Sequence, residues 1–268
     1  MKTWELVDVP RNRKPIANKW VFLKKFDKSR VLTKYKARLM AKGFAQIPSM
    51  DFNQTFAPVV CLETLQSIVA KTVCKHWKLC QMDIKGAYLN GYLKEEVFMA
   101  QPDGFSDGMN RVCWLIKTLY GLKQSGQEWN EQLNKKLTEK GFRRLISDPC
   151  TYRHEEKGEV EIITIWVDDL MIFTNCEKAM NKTKNDLQEM FKVTDLGEPS
   201  KIVRIKINID LKTGNIKLTQ KKYIERLLQK YGLVDMNGVA VPMDPNIKFD
   251  LPNGEGDCSN SHASSLVP

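Results

Sequence analysis

The sequence predicts an α+β fold, because three pairs of short apolar strands are joined by tight polar turns, amphipathic helices are interleaved among them, and no segment repeats. With 268 residues and 42% hydrophobic content, the chain is long enough to bury a substantial core. Residues 20–26 and 33–41 read as strands joined by Asp27-Lys-Ser-Arg30, a hairpin loaded with Lys24, Lys25, Lys36, Arg38 and Lys42. Leu65, Ile68, Val69 and Val73 recur at helical spacing and predict a helix over 63–77. The short apolar run 78–84 reads as a buried strand that delivers Asp83 at its end. A Pro/Gly-rich loop, Gln101-Pro-Asp-Gly-Phe105, precedes a helix over 126–140, whose stripe of Trp129, Leu133 and Leu137 is most simply core and which stops before Gly141.

Strands over 159–166 and 170–174 are separated only by Val167-Asp168-Asp169, which makes a tight hairpin with acids at its tip. Met180, Leu187, Met190 and Phe191 mark the next amphipathic helix, and residues 201–219 suggest a further hairpin turning at 212–215. Tyr223, Ile224, Leu227, Leu228 and Tyr231 form a helical face that ends at Gly232. The stretch 242–268, rich in Pro, Gly, Ser and Asn, is expected to be poorly ordered, leaving 1–241 as the folded part.

Charge is informative once it is located. From Met1 to Gly43 there are 13 Lys and Arg against 3 Asp and Glu, whereas the rest of the chain balances at 29 against 29. Such a block attracts polyphosphate without regard to base sequence, although an ordinary solvated basic face stands as an equal alternative on charge alone. The seven cysteines contain no Cys-x-x-Cys pair and the three histidines are scattered, which argues against a zinc site; the thiols read as small core hydrophobes. No apolar run approaches the roughly 20 residues needed to cross a bilayer, and the first residues have no apolar signal core. The expectation is a protein without a membrane partner, not secreted, in the cytoplasm or nucleus.

Adjacent acids at a hairpin tip are, taken alone, more often a solvated turn than a site. Here Asp168 and Asp169 sit between two strongly apolar strands, Ile162-Ile-Thr-Ile-Trp166 and Leu170-Met-Ile-Phe173, where unpaired charge is poorly tolerated. A metal would resolve the conflict. Asp83 likewise ends an apolar strand and is followed by Gly86-Ala87-Tyr88, whose small residues let a phosphate approach backbone N–H groups. Three converging aspartates are what phosphoryl transfer by two divalent cations about 4 Å apart requires.

These motifs, together with Thr3-Trp-Glu-Leu-Val7, Lys19-Trp-Val-Phe22, Tyr35-Lys-Ala-Arg-Leu39, Ala41-Lys-Gly-Phe44, Thr55-Phe-Ala-Pro-Val59, Asp83-Ile-Lys-Gly-Ala-Tyr-Leu-Asn-Gly91, Leu119-Tyr-Gly-Leu-Lys-Gln124, Ser147-Asp-Pro-Cys150, Trp166-Val-Asp-Asp169 and Asp195-Leu-Gly-Glu198, follow one another along nearly the whole chain. In this succession the sequence resembles the reverse transcriptases of copia-type long-terminal-repeat retrotransposons, a part of the Pol polyprotein. The resemblance implies a right-hand polymerase with an antiparallel palm sheet, fingers in the first part, and the start of a thumb after about residue 219. It implies RNA-directed DNA polymerase activity with two Mg²⁺ or Mn²⁺ ions on Asp83, Asp168 and Asp169, and as partners an RNA or DNA template with its primer and deoxynucleoside triphosphates.

By the same resemblance Tyr88 occupies the position that discriminates against a ribose 2′-hydroxyl, although a core aromatic is the bland alternative. Lys36, Arg38 and Lys24 lie in the hairpin that closes over the incoming nucleotide, with the strand register left open by the sequence. Gly86, Ala87, Tyr120 and Gly121 line the nucleotide, while Lys42, Lys123 and Arg204 are candidates for nucleic-acid contact. Oligomeric state is not implied.

Three departures from the family pattern bear on activity. Arg204 replaces a glycine in the hairpin that supports the primer, Gln124-Ser-Gly-Gln-Glu128 lacks the usual proline and arginine, and Trp166 replaces a tyrosine. The ends, at Met1 and Pro268, suggest a piece of a longer polyprotein. A second reading is therefore a catalytically inactive remnant, or a co-opted nucleic-acid-binding protein.

Overall fold

The computed structural model describes residues 2–27, 29–203, 205–210 and 213–238, and the chain divides into two units, Met1–Thr219 and Gln220–Pro268. Helices and strands are interleaved as expected, and every pairing within the four sheets of the first unit is antiparallel. In chain order come β1 (Trp4–Asp8), β2 (Asn18–Phe26), β3 (Leu32–Ala41), α1 (Leu62–Cys74), β4 (Lys78–Ile84), β5 (Tyr92–Met99) and β6 (Arg111–Lys117). They are followed by α2 (Ser125–Glu139), β7 (Arg143–Arg144), β8 (Thr151–Glu156), β9 (Glu159–Trp166), β10 (Asp169–Thr174), α3 (Glu177–Met190) and β11 (Val193–Gly197). A small sheet of β12 (Lys201–Ile202), β13 (Ile205–Asp210) and β14 (Asn215–Thr219) closes the first unit. The second unit holds α4 (Lys221–Lys230); residues 239–268, including the tail expected to be poorly ordered, lie outside the described residues.

The centre of the first unit is a six-stranded sheet in the order β11-β4-β10-β9-β8-β7. Its middle strands are apolar on both faces, with Met82, Ile163, Leu170 and Ile172 fully buried, because both faces are covered. Leu65 of α1 packs beside Gln81, Thr164 and Met171 on one face. On the other, Tyr152 of β8 donates its hydroxyl to Asn134 of α2 at 3.1 Å, and Thr183 of α3 bonds the buried Glu161 of β9. The α2 stripe expected to be core is buried at Trp129, Leu133 and Leu137. Asp148, fully buried, accepts the N–H groups of Cys61 and Cys150 at 2.9 Å each. It thereby places an anion at the start of α1, where the helix dipole favours one.

A second core is built on the three-stranded sheet β1-β6-β5 and includes Val97, Met99, Cys113 and Leu115. Leu39 and Ala41, from the end of the two-stranded ribbon β2-β3, pack into it. There the ribbon is tied to the 120–121 loop by Ala41 N–H, which donates to the Tyr120 carbonyl at 2.8 Å, while Lys42 N–H closes the base of the ribbon on the Ala17 carbonyl at 2.8 Å. Gly43 and Gly121 permit this approach. A Cβ on Gly43 would lie 1.9 Å from the Gly121 carbonyl oxygen, and Gly121 has φ +95°.

Several expectations are corrected. The helix expected to reach residue 77 ends at Cys74, because His76 turns to φ +51° and Trp77 N–H returns to the Thr72 carbonyl, seating the indole in the core. Cys80, Cys113 and Cys150 are buried as expected, and burial pushes each thiol up to about 11, in keeping with their reading as small core hydrophobes. Cys61 and Cys74 are exposed instead, since Cys61 caps the start of α1 and Cys74 ends it off the buried stripe. Among the described residues, no helix is long and apolar enough to cross a membrane.

If the 43–121 contact holds the ribbon in place, Gly43→Ala should cost about 1–3 kcal/mol of overpacking, a fall of roughly 2–12 °C in the thermal midpoint. A midpoint unchanged from wild type would show that the two backbones part without cost.

Candidate active site

Asp169 is not part of the turn, as the sequence suggested, but the first residue of β10. It pairs with Trp166 on one side and with Asp83 of β4 on the other, because the ladder continues to the last residue that both neighbours can match. The loop is therefore two residues, Val167-Asp168. Val167 takes φ +58°, a conformation in which a β-branched residue is strained. Both loop carbonyls are held: that of Val167 accepts the Trp129 indole N–H at 2.8 Å, and that of Asp168 accepts Ile84 N–H at 2.8 Å.

Directly paired residues stand about 4.5–5.5 Å apart at Cα with side chains on one face, so Asp83 and Asp169 are neighbours by register. Burial, and then the nearby Asp83, raises the Asp168 carboxyl above its ordinary range. Asp169 is raised by burial and by both other acids, against the stabilising hydrogen bond that Gln81 Nε2 donates to its Oδ1 at 3.1 Å.

The register of the ribbon decides which cations face these acids. Side chains alternate along a strand, so Lys36 and Arg38 share a face with Leu23, Val21 and Lys25, while Lys24, paired with Tyr35, points to the opposite face. Lys24 thus stands apart from the pair with which the sequence grouped it. The Lys36 amine is pushed below its ordinary value by burial, then by the like charges of Arg38 and Lys25, and pulled back up by Asp83 and Asp168. The Arg38 guanidinium lies 5.3 Å over the Tyr120 ring, and its buried Nε has no hydrogen-bond partner. Tyr120 in turn meets Tyr88 edge-on at 5.2 Å. Burial raises both phenols, and Asp168 raises both further. Asp83, Asp168, Lys36, Arg38, Tyr88 and Tyr120 therefore share one electrostatic neighbourhood.

Gly86 supplies the left-handed turn, φ +66°, that starts the 87–90 segment, while Ala87 is packed into the core. Lys123 lies 4.5 Å over the Phe52 ring, and its N–H donates to Gln46 Oε1 at 2.8 Å. Lys42 is half-buried at the end of the ribbon. Arg204 lies outside the described residues. An open cleft beside the acids is lined by Gln81, Trp166, Ser200, Lys201 and Val203. The sequence reading missed Gln81, although its position two residues before Asp83 puts it on the same strand face. It also passed over Lys25 at the site, which only the ribbon register reveals.

The donor set suits a divalent cation. Hard carboxylate oxygens from Asp83, Asp168 and Asp169 lie at one sheet end, and a cation would relieve both the burial that chiefly raises the Asp168 and Asp169 carboxyls and the repulsion among the acids that adds to it. Among the described residues, however, no three His, Cys, Asp or Glu side chains form a ready-made cage, and the Asp169 carboxylate is engaged by Gln81.

An acid-tipped antiparallel sheet with Lys36 and Arg38 of a basic ribbon in its electrostatic neighbourhood is the arrangement on which the class of the protein turns. The chain belongs to the family described as reverse transcriptase (RNA-dependent DNA polymerase), which matches residues 1–245. Within it, the chain is 35% identical over 251 residues to the retrovirus-related Pol polyprotein from transposon TNT 1-94 of Nicotiana tabacum, covering 92% of this chain and 19% of that protein. It is 34% identical over 255 residues to the Pol polyprotein from transposon RE1 of Arabidopsis thaliana, covering 94% and 17%. Both are copia-type Pol polyproteins. The truncated transposon Ty1-A Gag-Pol polyprotein of Saccharomyces cerevisiae is 29% identical, covering 92% and 20%. The chain spans about a fifth of the length of these relatives. Among solved structures, apo telomerase from Candida tropicalis truncated from its C-terminal domain matches with a TM-score of 0.42 and 11% identity, covering 81% of this chain and 57% of that one.

A carboxyl whose folded pKa is raised binds its proton more tightly folded than unfolded. Its charged form therefore costs stability that appears as pH rises from the unfolded value of 3.8 through the folded one. In chelator-treated protein, Asp168→Asn should raise the thermal midpoint at pH 7 by about 2–4 °C, with the difference vanishing below pH 3.8. An Asn variant less stable than wild type at pH 7 would show that the charge is compensated in the free protein.

Proposed function

We propose that the chain carries out RNA-directed DNA synthesis, adding deoxynucleotides to a primer 3′ end on an RNA or DNA template. The observation that carries this reading is the pairing of Asp83 with Asp169 across β4 and β10, with Lys36 and Arg38 held over the same end of the sheet. In this reading the central sheet is the palm, the β2-β3 ribbon the fingers, and the second unit begins the thumb. Two Mg²⁺ or Mn²⁺ ions on Asp83, Asp168 and Asp169 would lower the pKa of the attacking hydroxyl and stabilise the departing pyrophosphate.

The chain's own groups supply the rest. Lys36 and Arg38 neutralise the triphosphate, and the buried, unpartnered Arg38 Nε is a donor that a phosphate oxygen would satisfy once the guanidinium turns toward it. Tyr88, braced edge-on by Tyr120 and through its backbone carbonyl by the Thr118 hydroxyl, presents a fixed ring where bulk excludes a 2′-hydroxyl. Lys42, Lys123 and Arg204 are assigned to the template and primer backbone, where contacts position without reading sequence.

Primer extension on a homopolymeric RNA template tests the reading. Asp83→Asn should abolish extension while leaving template–primer affinity within about twofold, because a metal ligand is lost and the basic ribbon is untouched. Binding by the natural protein without any extension, at either metal, would establish the inactive, nucleic-acid-binding alternative. Tyr88→Ala should raise the ratio of ribonucleotide to deoxyribonucleotide incorporation by roughly tenfold or more, since selection by volume is lost with the ring. Unchanged sugar discrimination in an active variant would make Tyr88 a packing residue only.

A further inference from the structure

We propose that Trp129 is a positioning residue: its indole N–H, by holding the Val167 carbonyl, fixes the two-residue turn that presents Asp168 and Asp169. The inference rests on the reading of those acids as the metal-holding pair, and it assigns a polar task to a residue that the helical stripe accounts for only as core.

The turn needs an external support. A β-branched residue at φ +58° is held away from its preferred conformations, and such conformations persist only where the surroundings over-determine them. Relaxation of Val167 would rotate the peptide that joins it to Asp168, and the acid with it. The sheet itself fixes one side of the loop, through Ile84 N–H on the Asp168 carbonyl. The Val167 carbonyl is the other side, and its partner comes from α2 rather than from a neighbouring strand, at 2.8 Å. A phenylalanine would keep an aromatic ring in the core but, being smaller, would leave a gap as well as leaving that carbonyl without its donor.

The helix that supplies the donor is well anchored. Trp129 is 2% exposed and packs edge-on against Phe191 at 5.1 Å. At its start, the Ser125 hydroxyl of α2 donates to the Leu119 carbonyl, directly before Tyr120. On its outer side Lys94 of β5 pairs with Glu128 at 3.5 Å and with Glu131. One rigid element thus sets both the loop that carries Tyr120 and the turn that carries the acids, so the two walls of the site keep their spacing.

The test separates the donor from the bulk. Trp129→Phe is the simple variant; replacement of Trp129 by benzothienylalanine, in which sulfur stands for the indole N–H, keeps the shape and guards against a loss of folding. In metal-free protein, both should speed amide hydrogen exchange at residues 167–170 by roughly three- to tenfold, with the thermal midpoint of the isosteric variant close to wild type. Both should weaken Mn²⁺ binding, read by electron paramagnetic resonance without nucleotide. In primer extension, kcat should fall by roughly ten- to a hundredfold with little change in KM for the nucleotide. Exchange unchanged at 167–170 in the isosteric variant would overturn the proposal, whatever the activity. Because exchange needs no catalysis, a protein that never extends a primer still decides whether Trp129 holds the turn, so failure of the polymerase reading is distinguishable from failure of this one.

Discussion

Asp83 and Asp169 face each other directly across β4 and β10, with Asp168 one residue away, and like charges set opposite one another in a ladder repel. The arrangement persists because the rest of the two strands leaves them no alternative register. A slip of one residue would turn Met82, Leu170 and Ile172, all fully buried, to the opposite face, which is packed against other side chains, and would lose the fit on both faces. The repulsion is concentrated at the sheet end, where burial and the neighbouring acids raise Asp168 and Asp169 together. Apolar packing in the middle of the strands sustains an electrostatic penalty at their ends, a common relation between stability and a functional site.

The cations that answer this charge are themselves crowded. Lys36 is pushed down by burial and by Arg38 and Lys25, so the ribbon carries a repulsion of its own that the acids relieve. A two-stranded ribbon is marginally stable by itself, and much of this one is exposed, including Phe22 and Tyr35. It acquires a defined position at its base, where Leu39 and Ala41 enter the second core and the backbone meets the 120–121 loop at a distance only glycine allows. The Tyr120 ring, stacked on Arg38 and edge-on to Tyr88, carries that fixed geometry from the ribbon to the acids.

How much of this could be read beforehand depended on the strength of local pattern. The α2 stripe, with apolar residues four apart, and β9, whose residues 162–166 are apolar but for Thr164, were legible because pattern and burial coincide in them. β5 was not, since Lys94, Glu95 and Glu96 fall in the middle of an edge-like strand whose burial is strong only at its far end. The end of α1 escaped because Trp77 keeps the apolar rhythm while its backbone has already turned back. Asp148, quoted only as part of a recurring motif, proved to be the buried anion at the start of α1.

The sequence by itself determined the class of fold, the three acids and the basic ribbon, because each is written in residue types and in spacing along a few neighbouring positions. Only the tertiary structure decided which of these meet. Strand register, set by packing between segments far apart in sequence, placed Asp169 in the ladder beside Asp83, put Lys36 and Arg38 on the face opposite Lys24, and brought Gln81 to the Asp169 carboxylate. The same packing carried the Trp129 indole, from a helix 38 residues before it, to the Val167 carbonyl. No local pattern encodes such a contact, because a buried tryptophan satisfies a helical stripe equally well wherever its N–H points.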